Sequence, residues 1–235
     1  MFENVIREVA DHHGELVRNI QTIRVSQDLF DDLSAERADQ AVAIAAEAAD
    51  RIPSEAPLIT RPFDYGTVIT FPFANFNAQG TRFSDALAYG VWYGSLELET
   101  TVYETVYHHH RFVMDSYAAE ERPIRNERRV FNVQCDAILI DLRGKEAREP
   151  RLVDRRSYAY TQPLGAYLRS QGAAGLLVKS ARTDGVNAAI FQPTVLRNVR
   201  DLCHLTYTMN PSTDRVVVER MPGETWIEIR PSTLY

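Results

Sequence analysis

The stretch GTRFSDALAYGVWYGSLELETTVYETVYHHHR, from Gly80 to Arg111, holds the strongest structural signals in the chain. The β-prone run Gly90 to Tyr93 predicts a strand, and Leu96 to His109 predicts a helix. Ser95 suits the N-cap of that helix, and the acidic residues just after it favour the positive end of the helix dipole. The stretch therefore predicts a strand followed directly by a helix.

The predicted helix has one apolar face. Leu98, Val102 and Val106 recur at a spacing of four, so they stack on one side and should meet a core. Glu104 is two positions from Val102 and points roughly 200° away from it around a helix of about 3.6 residues per turn. Periodicity alone favours a solvated surface carboxylate at Glu104. Only a cavity on the far face of the helix would make it functional.

The rest of the chain alternates short β-prone runs with turn residues. A second, short helix is predicted at Leu164 to Ser170. Candidate strands are residues 58–60, 67–71, 90–93, 128–133, 137–142, 176–179, 188–191, 202–209, 215–220 and 226–229. These strands do not alternate regularly with long helices, which argues against a doubly wound sheet. We predict a mixed α+β domain over residues 56–235.

The first 55 residues predict a helical arm. Val5, Val9, Leu16, Ile20 and Ile23 recur at intervals compatible with one helix face. A second segment, residues 35–52, is rich in alanine and glutamate, and prolines at positions 53 and 57 end the pattern. We therefore expect a helical N-terminal arm over residues 1–55.

Composition bounds the function. Apolar residues make up 45% of the chain and charged residues 25%, which is ordinary for a globular protein. The net charge of −6 argues against a basic face for direct nucleic-acid binding. The two cysteines suggest neither a disulfide framework nor a metal site. The N-terminus lacks a secretory pattern and no apolar run is long enough to span a membrane, so we expect a cytoplasmic protein.

Several arginines and aromatics are candidates for ligand contacts. Arg61 and Arg82 could hold an anion, since a planar guanidinium can grip a phosphate with two hydrogen bonds. Gly80 would let the backbone next to Arg82 approach a ligand closely. Tyr89 and Tyr93 could stack on a flat ring of a ligand or belong to the core. Trp92 is large, and we expect it in the core.

Two polar clusters have an ordinary structural interpretation. Ser180 has no histidine partner at a recognisable spacing and lies in no G-x-S-x-G elbow. We therefore expect Ser180 to be a hydrogen-bonding group rather than a nucleophile. The alternative for the loop Lys179 to Asn187 is a simple turn around Asp184-Gly185. His108, His109 and His110 point in different directions on a helix and do not predict a shared metal ion.

The candidate residues, in their order, resemble the RES family of bacterial toxins. The likeness runs from about Leu58 to Val199 and consists of an early arginine, a glycine-arginine-aromatic element, a tyrosine on a strand, a glutamate on a helix and a serine-arginine loop. The corresponding residues are Arg61, Gly80-Thr81-Arg82-Phe83-Ser84, Tyr93, Glu104 and Ser180-Ala181-Arg182. Arg82 to Tyr93 and Tyr93 to Glu104 both span 11 positions. Many members have Gly-Gly-Arg-Trp-Asn at the second element, and Tyr89 competes with Tyr93 for the aromatic role.

The resemblance implies a fold similar to ADP-ribosyltransferases and the degradation of NAD at its nicotinamide–ribose bond, with inorganic phosphate or water as the acceptor and no metal. Glu104 would then stabilise the developing positive charge on the ribose. Arg61 and Arg82 would grip phosphate groups, Tyr93 would orient the ribose, and Ser180 and Arg182 would contact the substrate.

The family resemblance also implies a partner, an antitoxin with an Xre-like helix-turn-helix domain. The oligomeric state, including a homodimer, stays open. Two other functions stay open as well. One is an ADP-ribosyltransferase that modifies a protein, and the other is a catalytically inactive interaction protein.

Overall fold

The strands and helices that position the site come from both ends of the chain. In the computed structural model, the described residues are 2, 6–21, 65–74, 80–85, 88–118 and 122–235. The helices are α1 Gly66–Ala74, α2 Leu98–Tyr117 and α3 Thr161–Ser170. The strands are β1 Val9–Gln21, β2 Trp92–Ser95, β3 Ile124–Asp141, β4 Gly175–Lys179, β5 Val186–Ile190, β6 Leu196–Met209, β7 Val216–Met221 and β8 Glu224–Ile229.

Within the described residues these strands form one mixed sheet, in the order β1-β2-β5-β4-β3-β6-β7-β8. Strand β1 also pairs with β3, in a continuous register from Val9 opposite Ile140 to Gln21 opposite Arg128. Strands β1, β2, β5, β4 and β3 therefore close into a ring. Strand β3 is long enough to pair on its other edge with β6 and, at Ile140 and Asp141, in parallel with β4.

The core follows from this arrangement. Apolar side chains of the ring strands form one cluster that includes Leu16, Trp92 and Phe131. Helix α2 packs its apolar face, with Val102 and Val106 fully buried, against strands β6 to β8. Helix α3 packs in a third cluster with residues from the ends of the ring strands. The opposite face of α2 faces β2 and β5.

The predicted fold class is confirmed, since the described residues form a mixed sheet with helices packed on it. The predicted helix at Leu96 to His109 is present as α2, and the two strands predicted over residues 128–142 are one strand, β3. The strand predicted at Thr67 to Phe71 is wrong, because this short apolar run is helical. Such runs carry no period that separates a strand from a buried helix.

The helix predicted for the N-terminus is wrong for Val9–Gln21, which is strand β1. The apolar spacing there is also compatible with a helix. Pairing with β3 along the whole segment decides the conformation instead, and Leu16 and Val17 are both buried. Residues 22–64 lie outside the described residues, and with them the helix at residues 35–52, the strand at residues 58–60 and Arg61. The division at residue 55 stays a prediction. No helix in the described part of the chain is long and apolar enough to cross a membrane.

Candidate functional site

A cavity of about 360 Å³ lies beside α2, in the size range of small-molecule sites. Its walls come from β1, β2, the turn at residues 80–83, the far face of α2 and the ends of β4 and β5. Charged and hydrogen-bonding residues that line it are Arg18, Asn19, Thr81, Arg82, Tyr93, Ser95, Thr101, Glu104, Thr105, His108, Arg111, Tyr158, Lys179 and Asn187. Glu104 is the carboxylate in this lining, whereas four of the residues are cations.

Glu104 is held by two donors. Its Oε1 accepts hydrogen bonds from Ser180 Oγ and from Asn187 Nδ2, both at 2.6 Å. Ser95 Oγ donates to Asn187 Oδ1 at 2.6 Å and so fixes the orientation of that amide. Periodicity favoured a solvated carboxylate at position 104. The structure instead brings β5 and the loop after β4 against that face of α2.

Tyr93 contributes a fixed phenol to the wall of the cavity. Its hydroxyl hydrogen-bonds Thr81 Oγ1 at 2.8 Å and accepts the backbone N–H of Phe83 at 3.0 Å. Burial raises its pKa well above the usual range, so the phenol stays neutral. Tyr89 donates to the Phe83 carbonyl at 2.6 Å and lines a smaller neighbouring cavity of about 220 Å³. The two tyrosines therefore hold the same turn from different sides.

Arg82 lies at the tip of that turn. Thr81 and Ser84 close the turn with backbone hydrogen bonds, and Gly80 precedes it with a positive φ of 71°, a conformation that favours glycine. The Arg82 guanidinium lies 4.9 Å from the centre of the Tyr158 ring and donates to the Leu152 carbonyl at 3.3 Å. A planar cation is thus presented at the cavity.

The serine-arginine loop divides its two residues between different tasks. Ser180, which is buried, donates to Glu104 and accepts the backbone N–H of Arg182 at 3.0 Å. Arg182 does not line the cavity. Its guanidinium lies 3.5 Å from the centre of the Tyr107 ring and donates to the carbonyls of Leu234 and Arg155. Burial lowers its pKa. Arg61 lies outside the described residues.

Comparisons with known proteins place the chain in a family. The family model described as RES domain matches residues 51–210, which is more than half of the chain. The chain belongs to the RES domain family. One similar solved structure is the M. tuberculosis MbcT–MbcA toxin–antitoxin complex, with 12% identity, a TM-score of 0.46 and coverage of 87% of this chain and 88% of that chain. No curated protein matches the sequence.

Some cavity residues of this RES-domain protein were not predicted. Arg18 and Asn19 were missed because β1 was interpreted as a helix, and they lie before the matched segment. Asn187 ends the segment that sequence analysis singled out as a loop, but it lies in β5, and nothing in the sequence indicated that its amide faces Glu104. Tyr158 carries no motif, and its contact with Arg82 depends on the fold.

The three consecutive histidines of the RES domain point to different places. His108 lines the cavity, and His110 Nδ1 hydrogen-bonds the Tyr235 hydroxyl at 2.7 Å. His109 is buried near the Tyr207 ring, and this burial lowers its pKa to about 4. Within the described ranges, no group of three or more histidine, cysteine, aspartate or glutamate side chains is arranged to hold a metal ion.

Proposed function

We propose that this RES-domain protein is the toxin of a toxin–antitoxin system and that it degrades NAD by cleaving the nicotinamide–ribose bond. The observation that carries the proposal is the fixed carboxylate of Glu104 in a cavity whose other charged walls are cationic. A dinucleotide carries a negative pyrophosphate and develops positive charge at one ribose when it is cleaved. The cavity lining offers cations that can bind the pyrophosphate and a carboxylate that can stabilise the ribose.

The reaction follows from the charges. The bond between ribose C1′ and the nicotinamide nitrogen breaks, and its electron pair goes to the ring nitrogen, which loses its formal positive charge. Positive charge then develops on the ribose. A carboxylate held in place before the reaction stabilises this charge without reorganising. Ser180 and Asn187 hold Glu104 in this way, so Glu104 acts as the catalytic residue of the proposal.

The acceptor completes the reaction. When an inorganic phosphate oxygen bonds to C1′, the product is ADP-ribose 1-phosphate. When water bonds there instead, one proton is released and the product is ADP-ribose. Arg82 would hold phosphate groups, Tyr93 would orient the ribose, and Ser180 would act through Glu104. Arg182, proposed from the family order as a substrate contact, would act by supporting the Ser180 loop.

Nicotinamide release from NAD tests the proposal, with and without inorganic phosphate. We expect release by the purified protein, and a faster reaction with phosphate would favour phosphorolysis. Glu104→Gln should slow release by about 10²–10³-fold, the usual effect of removing one preorganised charge-stabilising group. Glu99→Gln is the matched control, because Glu99 is exposed on the same helix and does not line the cavity.

Three results would contradict the proposal in different ways. No nicotinamide release under any condition would remove NAD cleavage. Full activity of a folded Glu104→Gln variant would remove the catalytic role of Glu104. Radiolabel from NAD that appears on a protein band would favour ADP-ribosylation of a protein target.

The biological part of the proposal has its own test. We propose action on cytoplasmic NAD and neutralisation by an antitoxin with an Xre-like helix-turn-helix domain. Expression of the protein should lower cellular NAD and stop growth, and co-expression of such an antitoxin from a neighbouring gene should restore both. Growth that is unaffected while NAD is cleaved in vitro would contradict the toxin role.

A further inference from the structure

The C-terminal segment, residues 231–235, lies beyond the RES-matched part of the chain and packs on helix α2. Leu234 is buried in one core cluster with Tyr107, and the ring centres of Tyr107 and Tyr235 lie 5.0 Å apart. Tyr107 follows Glu104 by three positions, and residues at this spacing are neighbours on a helix. The C-terminal segment therefore packs beside the part of α2 that carries the Glu104 carboxylate.

Two arginines connect this segment to the serine-arginine loop. Arg155 donates from Nε to the Ala181 carbonyl at 3.0 Å and from Nη1 to the Thr233 carbonyl at 2.9 Å. Arg182 donates from Nη1 to the Leu234 carbonyl and from Nη2 to the Arg155 carbonyl at 2.8 Å. Each guanidinium thus binds one carbonyl of the C-terminal segment and one carbonyl at or next to the other arginine. Because guanidinium donors form a rigid fork, this arrangement, the arginine bridge, holds its acceptors in a fixed relation.

The arginine bridge is also attached to α2. The Arg182 guanidinium lies 3.5 Å from the centre of the Tyr107 ring, and the Tyr235 ring packs on Tyr107 as well. A cation close to an aromatic ring is attracted by the ring, so this contact favours one position of Arg182 relative to the helix. The serine-arginine loop is therefore tied to α2 in two places, at the arginine bridge and through Ser180 at Glu104.

The arginine bridge reaches the cavity through Ser180. Neither Arg155 nor Arg182 lines the cavity. The backbone N–H of Arg182 donates to Ser180 Oγ at 3.0 Å, and the same hydroxyl donates to Glu104 at 2.6 Å. A displacement of the loop at residues 181–182 would therefore move the Ser180 hydroxyl away from the carboxylate. Since a charge-stabilising group works best when it is fixed before the reaction, such a displacement would slow the chemical step.

We propose that Arg155, together with the C-terminal segment, holds Ser180 in the position from which it orients Glu104. Arg155 is a positioning residue in this proposal, because it acts through Ser180 and does not contact the substrate. Its effect on the rate rests on the proposed function, whereas the coupling of the C-terminal segment to the Ser180 loop rests on the contacts themselves. The site of this protein would then depend on residues beyond the family match.

Steady-state nicotinamide release by the full chain tests the effect on the rate. Arg155 is exposed, so Arg155→Gln leaves the core intact. We expect its kcat to fall about 10-fold, since a misplacement of about 1 Å can cost as much as about 10²-fold. The KM for NAD should stay near its original value, because no ligand contact is lost. Arg155→Lys can still donate to one of the two carbonyls and should recover part of the kcat.

Arg156→Gln is the matched control for these kinetics. It removes the same charge from the adjacent position, which is also exposed and is not part of the arginine bridge. Its kcat and KM should both equal those of the original protein.

A double variant separates positioning from a general loss of structure. If Arg155 acts through Ser180, Arg155→Gln should have little further effect on kcat in a chain that already carries Ser180→Ala. Independent effects would instead multiply. Multiplied effects, an effect mainly on KM, or a normal kcat in folded Arg155→Gln would overturn the proposal.

Hydrogen exchange tests the coupling without any cleavage of NAD. The backbone N–H groups of Arg182 and Thr183 both donate to Ser180 Oγ, so their exchange rates report on the opening of the loop. We expect about 10-fold faster exchange at these two amides in Arg155→Gln and unchanged exchange in Arg156→Gln.

A variant of the C-terminal segment keeps this test decisive even if Arg155→Gln fails to fold. Tyr235→Ala removes the ring that packs on Tyr107 but keeps both arginines and the backbone carbonyls, so the same two amides should exchange faster. Unchanged exchange in the folded variants would contradict the proposal. Faster exchange in a protein that releases no nicotinamide would support the coupling and would remove only NAD cleavage.

Discussion

Among single side chains, Ser180 has the clearest double task. Its hydroxyl donates to Glu104 and accepts the backbone N–H groups of Arg182 and Thr183, at 3.0 and 3.3 Å. Ser180→Ala should lower the kcat for NAD cleavage by about 10- to 100-fold, because a charge-assisted hydrogen bond is lost. The same change should cost about 1–2 kcal/mol of unfolding free energy, since the two N–H groups lose their acceptor.

Steady-state kinetics and urea unfolding measure the two effects of Ser180→Ala. Ser170→Ala is the matched control, because Ser170 is exposed and its hydroxyl donates only to the backbone carbonyl of Tyr167 in its own helix. A normal kcat in Ser180→Ala, together with reduced stability, would mean that Ser180 supports the loop without orienting Glu104.

His109 makes folding sensitive to acid. Burial lowers its pKa from 6.5 to about 4, so the folded state resists a proton that the unfolded chain accepts. The stability due to the neutral imidazole is complete above pH 6.5 and is lost as pH falls toward 4, by ~3 kcal/mol at pH 4. Urea unfolding at pH 7 and pH 4.5 should show this loss. His109→Leu should have a flatter pH dependence, and an unchanged slope would contradict the assignment.

Helix α3 illustrates how a secondary-structure element controls the site from a distance. A Cβ atom added at Gly165 would lie 2.1 Å from the carbonyl oxygen of Phe83, next to Arg82. Gly165→Ala should therefore displace the turn at residues 80–83 and raise the KM for NAD several-fold without removing any ligand contact. Ala166→Ser, at an exposed position of the same helix, is the control. Wild-type kinetics in a stably folded Gly165→Ala variant would contradict this coupling.

The sequence correctly predicted an element whose apolar residues recur with a clear helical period. The prediction failed where pairing with a distant strand determines the conformation. Helix α2 was predicted from the spacing of Val102 and Val106, which are fully buried. Strand β1 was not, because its apolar spacing also fits a helix and its strand conformation depends on β3, more than 100 positions away. The position of Glu104 follows the same rule. Glu104 is held in the cavity by Ser180 and Asn187, and the sequence of α2 alone gives no sign of these two partners.

In the whole molecule, charge is distributed in a way that composition hides. The chain has a net charge of −6, yet the cavity lining contains Arg18, Arg82, Arg111 and Lys179 against Glu104. Lys179 is partly neutralised by the exposed Asp184, at 2.9 Å. Net charge argues against a broad basic surface as the default, but it carries no information about an enclosed cationic site. Family order supplied Arg82 and Glu104, and only the fold supplied Arg18.

At the scale of the whole molecule, we expect the fold to require the N-terminal strand, because β1 closes the ring of strands. Strand β1 pairs with β3 over thirteen residues and buries Leu16 in the ring cluster. A chain that begins at residue 22 would leave edges of β2 and β3 unpaired, and open edges of this kind promote aggregation. We expect this truncated chain to be insoluble or to lack a cooperative thermal transition. Leu16→Ala in the full chain should cost about 2–5 kcal/mol, as for other large-to-small core changes. A soluble truncated chain with native near-ultraviolet circular dichroism would show that the fold does not require β1.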